Sequence, residues 1–193
     1  MQMKHYLSSI THNSGDVSNT GLPPMFGKWS IPTSKYNEFL KTYSEWVDDG
    51  QQLHLTELHS ESCPVLIDID LKFSIDVGLV RCYTHELIIN VIQTYNDVLQ
   101  NYFHITDEML NAYIFEKPHP VKHNGYIKDG FHIMYPNIIS KPDIQYELRN
   151  LVLSKCKSKN MFQNINNLNK IEDVIDEAVI KKAGWLMYGS SKE

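Results

Sequence analysis

Cysteine is scarce in this sequence: Cys63, Cys82 and Cys156 are the only three in 193 residues. An odd number with no C-x-x-C pair excludes a disulfide framework and a four-cysteine zinc module. The simplest reading places the chain inside a cell, in a reducing compartment. No apolar run approaches the ~20 residues of a membrane span, so no membrane partner is expected. The start, Met1-Gln2-Met3-Lys4-His5-Tyr6, lacks the apolar core of a secretory signal. An excess of positive charge is missing too, with 18 Lys plus Arg against 23 Asp plus Glu and a formal charge of −5. At first that argues against a nucleic-acid binder, which usually shows a basic footprint. There is no internal repeat. There is also no G-x-x-x-x-G-K-[ST] segment, which excludes a Walker-type NTPase site. With 42% hydrophobic and 11% aromatic residues, the chain is too apolar for a disordered tail and long enough to bury a substantial core.

What is present can be read along the chain. Residues 1–24 are polar and turn-rich (Thr11 to Asp16, then Gly21-Leu22-Pro23-Pro24) and read as a loosely ordered lead-in to a domain over 25–193. Tyr36, Phe39, Leu40, Tyr43, Trp46 and Val47 recur at helical spacing behind Ser34, a candidate N-cap, and Asp49-Gly50 ends that helix. Gln52–Leu58 alternates like a strand, and Cys63–Phe73 is a β-rich run. From about Leu79 to Phe103 the apolar spacing predicts the longest helix, its stripe packed on the core. A strand is expected over Asn111–Glu116, then a loop with His119 and His123. A further strand, Phe131–Tyr135, is entered through Asp129-Gly130 and closed by Pro136. Ser140, with Asp143 in the capping box, starts a helix to about Lys155. An Asn-rich loop (Asn160 to Asn169) and two short strands, near Val174–Ile180 and Trp185–Tyr188, complete the chain. This order implies an α+β domain with a mostly antiparallel sheet covered by helices.

The chemistry concentrates at a few points. In a strand, residues two apart share a face. Val65, Ile67, Ile69 and Leu71 would then face the core, while Leu66, Asp68, Asp70 and Lys72 face the other way. Two carboxylates side by side repel and want a cation, and a divalent pair about 3.5–4 Å apart suits them. An exposed strand face that carries two Asp residues would read the same way, although Asp is a poor strand former in so apolar a run. Lys128 and His132 flank the Gly130-Phe131 turn and suit a phosphate-rich ligand. A loop lysine and a core histidine give the same pattern. Asp176 follows β-branched residues and fits a strand. Lys192, after Gly189-Ser190-Ser191, could meet a phosphate through backbone amides and its ammonium. His119, His123 and His132 lack a fourth zinc ligand at sensible spacing. Asp70-Leu71-Lys72 matches the short acid-x-Lys pattern of metal-dependent nucleases. Lys155, Lys157 and Lys159 suit a solvated helix end or a phosphate contact.

Taken in order, a hydrophobic strand ending in Asp-x-Asp, then Lys-x-Gly-Phe-His-Ile, then hydrophobic-Asp, then Gly-Ser-Ser-Lys resembles the archaeo-eukaryotic primase superfamily. The nearest variety is the primase–polymerase domain of large DNA viruses, usually the N-terminal part of a primase-helicase. The likeness runs from about Trp29-Ser30-Ile31-Pro32 to Lys192. It implies a two-layer primase-polymerase core with an RRM-like, mostly antiparallel sheet. In it Asp68, Asp70 and Asp176 are the catalytic, metal-binding acids of a two-metal Mg²⁺ or Mn²⁺ site. His132, Lys128 and Lys192 meet the triphosphate of an NTP or dNTP, with Gly130 and Ser190 in the same motifs. Gly130 stands where relatives carry the serine of Ser-x-His. Trp185-Leu186-Met187 stands where many carry arginine, so that Lys181 and Lys182 are expected to assist.

The activity so implied is template-directed nucleotidyl transfer on single-stranded DNA, making primers for DNA replication. A helicase domain on the same longer chain or as a partner and a viral replication site in an infected cell are further implications. Two rivals stay open: a nuclease using Asp68, Asp70 and Lys72, and a non-catalytic single-strand-binding or helicase-loading domain. The charge of −5 ceases to exclude nucleic acid, because three of the acids counted in it are expected metal ligands and two divalent ions would offset most of it.

Overall fold

The computed structural model describes residues 2–12 and 15–192. Met1, Asn13 and Ser14 of the expected lead-in, and Glu193 at the end of the expected domain, lie outside the described residues. The elements run α1 (Gln2–Ile10), β1 (Asn19–Gly21), β2 (Gly27–Trp29), α2 (Thr33–Asp48), β3 (Leu55–Glu57), β4 (Cys63–Ser74), α3 (His85–Tyr102) and β5 (Tyr113–Glu116). They continue with β6 (Val121–His123), β7 (Tyr126–Ser140), α4 (Pro142–Ser158), α5 (Ile171–Val174), β8 (Ile175–Asp176), α6 (Ala178–Lys181) and β9 (Trp185–Leu186). The chain divides into two units, Met1–Ser60 with Lys182–Glu193, and Glu61–Lys181.

The first unit is a four-stranded antiparallel sheet in the order β2-β1-β3-β9. Its core gathers Met3, Leu7, Trp29, Phe39, Tyr43 and Leu55. The lead-in is therefore not loosely ordered as expected. Met3 and Leu7, four apart, share one side of a helix, and both are buried. Packing of Met3 and Leu7 into this core, with Tyr6 and Ile10 against it, holds α1 in place. Helix α2 forms where expected, but Pro32 occupies its N-cap without a side-chain hydrogen bond, so Ser34 lies inside the helix.

The second unit carries a five-stranded sheet. Its main path is β5-β7-β4-β8, with β6 pairing the first residues of β7. Every pairing is antiparallel, in agreement with the expected fold class. Strand β4 alternates as anticipated. Val65, Ile67, Ile69, Leu71 and Phe73 are buried with Leu87, Val91, Val98 and Leu99 of α3 and with Leu148 and Val152 of α4. Each such side chain contributes roughly 1.5–3 kcal/mol by leaving water. Both helices thus lie on one face of the sheet, and Asp68, Asp70, Lys72 and Ser74 occupy the other.

Several expected boundaries move. Strand β7 spans 15 residues, so Lys128, Asp129 and Gly130 lie within it and do not form a turn. Pro136 does not close it either. The register jumps there, with Val65 opposite Tyr135 but Pro64 opposite Ile139. The buried Gln145 amide fills the irregularity, donating to the carbonyls of Cys63 and Pro64 and accepting from the Leu66 amide. Ser140 ends β7, and Pro142 takes the first turn of α4, for which its fixed φ is suited. Helix α3 starts at His85, later than expected. Leu79 and Val80 ahead of it are 61% and 63% exposed, and Thr84 is extended. The strand expected over Val174–Ile180 shrinks to Ile175–Asp176, set between the helical turns α5 and α6.

Among the described residues no helix is long and apolar enough to cross a membrane. Among the described residues the cysteines form no disulfide; Cys63 and Cys156 are buried and Cys82 is partly exposed. Burial pushes the Cys156 thiol up to about 11. Alkylation of the native protein at pH 8, followed by mass spectrometry, is expected to modify Cys82 first and leave the other two intact until denaturant is added.

Candidate active site

Strand pairing assembles the site. Asp68 on β4 lies directly opposite His132 on β7 and, on its other side, opposite Asp176 on β8. Asp70 pairs with Gly130, and Lys72 with Lys128. Directly paired residues of an antiparallel ladder share a face. Asp68, Asp70, Asp176, Lys128 and His132 therefore come together on the side of the sheet away from α3 and α4. Lys192 and Ser190 belong to the first unit. Lys192 is exposed. Ser190 Oγ is engaged in folding contacts, 2.9 Å from the Leu55 amide and 2.9 Å from the Tyr43 hydroxyl. The roles expected of these two rest on the family resemblance.

Each acid of the face has a defined partner. The Lys128 ammonium lies 2.9 Å from Asp70 Oδ2, and Lys117 lies 3.8 Å from Asp70 Oδ1. His132 Nε2 is 3.2 Å from Asp68 Oδ1. Asp176 Oδ1 accepts from the Ala178 amide at 2.9 Å. Burial works to raise the Asp68 carboxyl, but the His132 hydrogen bond and the charges of His132, Lys117 and Lys128 outweigh it and hold it below its ordinary value. Ionised Asp68 thus favours the fold above the ordinary carboxylate range, a contribution lost as pH falls through the depressed value. Burial lowers the Lys128 ammonium, yet the hydrogen bond and charge of Asp70 carry it above its ordinary value. Lys117 ends below its own ordinary value, mainly through burial and partly through the like charge of Lys128. Lys128 is therefore the firmly held cation of the pair, and Lys117 the loosely held one.

Four further residues support the site. Lys117 follows the last residue of β5. Arg81 bonds the Lys117 carbonyl, Glu116 Oε1 at 2.9 Å and Asp129 Oδ2 at 3.2 Å. It ties the end of β5 to β7. The side chain of Asn169 continues the ladder of β4 where β8 stops, donating to the Asp70 carbonyl at 2.7 Å and accepting from the Lys72 amide at 3.1 Å. Buried Arg149 of α4 donates to the Ile175 carbonyl at 2.7 Å and to the Glu172 carbonyl, which fixes the short strand that carries Asp176. Of the other lysines singled out, Lys157 at the end of α4 pairs with Glu172.

Gly130 has a positive φ of 145°, and a Cβ placed there would lie 1.9 Å from the Ile69 carbonyl oxygen. The absence of a serine at this position is thus required by the backbone. As for a metal, three carboxylates on one face are the hard oxygen donors that Mg²⁺ or Mn²⁺ takes, so the donor set fits in kind. Among the described residues no three acidic, His or Cys side chains converge tightly enough to hold an ion. In this arrangement the protein's own cations face Asp70 and Asp68.

The fold, α+β with antiparallel sheets, is consistent with the two-layer primase core that the family resemblance implies. The chain belongs to the archaeo-eukaryotic primase (AEP) domain family described as the C962R protein N-terminal AEP domain, whose model matches residues 18–193. It is similar to “Putative helicase L207/L206” of Acanthamoeba polyphaga mimivirus, with 36% identity over 98% of this chain and 20% of that protein. It is also similar to “Putative helicase 184R” of Invertebrate iridescent virus 6, with 29% identity over 97% of this chain and 21% of that protein. The chain thus spans about a fifth of the length of the curated relatives it matches.

Proposed function

We propose that this domain is a DNA primase-polymerase that performs template-directed nucleotidyl transfer from an NTP or dNTP onto a chain growing along single-stranded DNA. The observation that carries this reading is the joint placement of Asp68, Asp70 and Asp176 on one sheet face with Lys128, Lys117 and His132. In-line attack of a 3′-hydroxyl on an α-phosphate needs positioning and charge neutralisation more than a protein nucleophile. Asp68, Asp70 and Asp176 would hold the divalent ions, which when bound supply Lewis-acid charge at the phosphate and acidify the attacking hydroxyl. Lys128 and Lys117 place two ammonium groups where a triphosphate can exchange for the Asp70 carboxylate. His132 adds a ring N–H donor next to Asp68. Asn169 and Arg149 keep the two strands that bear the acids from shifting. The names and lengths of the viral relatives support a helicase region as the working partner of this domain, on the same chain or docked to it.

The test is nucleotide incorporation on single-stranded DNA with Mg²⁺ or Mn²⁺, alongside an Asp68→Asn/Asp70→Asn protein. Loss of incorporation in the variant, with its unfolding midpoint retained, is expected. Equal activity in both proteins would overturn the assignment of the acids. Strand cleavage without any nucleotide would replace the reading with the nuclease.

A further inference from the structure

The open face of the sheet continues beyond the acids. Along β7 the residues that share the face of His132 and Gly130 are Lys128 and then Tyr126, and along β4 Asp70 is followed by Lys72 and Ser74. Lys72 stands opposite Lys128, Ser74 opposite Tyr126, and His123 of β6 opposite Tyr126 on its other side. The Lys72 ammonium rests 5.3 Å from the centroid of the Tyr126 ring, and the His123 ring lies 5.5 Å from it at 65°. The hairpin that holds these rings turns through Asn124 and Gly125, with φ of 44° and 85°, a two-residue turn of the kind that fixes strand register. Exposed Lys122 and His123 add donors at its tip. Tyr126 is partly exposed and lies outside the hydrophobic core that takes its neighbour Ile127.

A local cation–π contact that steadies the hairpin would account for Lys72 and Tyr126 alone. It does not account for a cationic and aromatic end on a face whose other end is acidic. We propose that Lys72, Tyr126 and His123 form a subsite for single-stranded nucleic acid, with a base stacked on Tyr126 and backbone phosphate on Lys72. Stacking reads no sequence, because every base has a π-face, and it suits a strand that slides along the sheet. The proposal rests on the reading of the acidic end as a nucleotide site and extends it along the same face.

The test is fluorescence anisotropy with a labelled oligothymidylate over a salt series, paired with binding of a fluorescent ATP analogue in Mg²⁺. Tyr126→Ala is expected to weaken the oligonucleotide about 10-fold, Tyr126→Phe to retain it, and Lys72→Met to lower the salt slope by about one. Nucleotide affinity stays at the parent level in all three. Parent-like oligonucleotide binding by Tyr126→Ala, or a Tyr126→Phe protein as weak as Tyr126→Ala, overturns the subsite while leaving the nucleotide site standing. Ring-dependent oligonucleotide binding in a protein that binds no nucleotide sinks the nucleotide site and keeps the subsite. If Tyr126→Ala fails to fold, the salt slope of Lys72→Met decides, and an unchanged slope overturns the proposal.

Discussion

Gly130→Ser is expected to destabilise the protein by at least about 2 kcal/mol, although it supplies the hydroxyl that the family resemblance implies for this motif. Two effects add. A φ of +145° is open to glycine and strained for any residue with a Cβ, at about 1–3 kcal/mol. The new Cβ would also stand 1.9 Å from the Ile69 carbonyl oxygen, in the central strand pair of the sheet, where neither backbone can withdraw without breaking ladder hydrogen bonds. Overpacking of this sort adds roughly 1–3 kcal/mol. The strain also reaches the site, because Gly130 is the register partner of Asp70 and its carbonyl accepts from the Tyr83 hydroxyl at 3.2 Å. Urea denaturation followed by circular dichroism measures the effect. A Gly130→Ser protein as stable as the parent would show that this strand is built differently from the one described.

Gly130 also shows how far the sequence could be read. Its neighbours Lys128 and His132 were legible as a pair that flanks one point, and their shared face follows from spacing alone. The expected turn was not correct. Glycine at a positive φ marks a turn in most contexts, and here the same freedom serves a close approach between two long strands. The turn lies earlier, at Asn124-Gly125, the strongest short hairpin signal in the chain. Asp68 and Asp70 were legible because β4 alternates cleanly from Ile67 to Ser74. Asp176 was placed on a strand, but that strand is two residues long and held by Arg149, so propensity overstated it. The contacts of Lys117 and Asn169 with Asp70 were out of reach. What brings them to Asp70 is the pairing of β5 with β7 and the reach of a loop side chain into the β4 ladder, contacts 47 and 99 positions apart in the chain. The N-terminal helix was missed because two buried residues, Met3 and Leu7, make a weak period in a polar segment.

Arg81→Met is expected to cost about 3–5 kcal/mol, the penalty for leaving a buried charge without its partner. Asp129 sits between Lys128 and Gly130 in β7, points to the helix-covered side and is fully buried. The Arg81 guanidinium meets it at 3.2 Å. If the loss is an uncompensated charge, then Arg81→Met/Asp129→Leu should regain most of the stability, since a buried pair replaced by apolar side chains is often neutral. Denaturant titration of the two single variants and the double variant gives the coupling directly. The same three proteins separate stability from positioning. Arg81 also holds the carbonyl of Lys117 and the carboxylate of Glu116, contacts that the double variant does not restore. Its affinity for a fluorescent nucleotide should therefore stay below that of the parent while its unfolding midpoint recovers. Recovery of both would mean that the guanidinium only neutralises Asp129, and that Lys117 finds Asp70 without it.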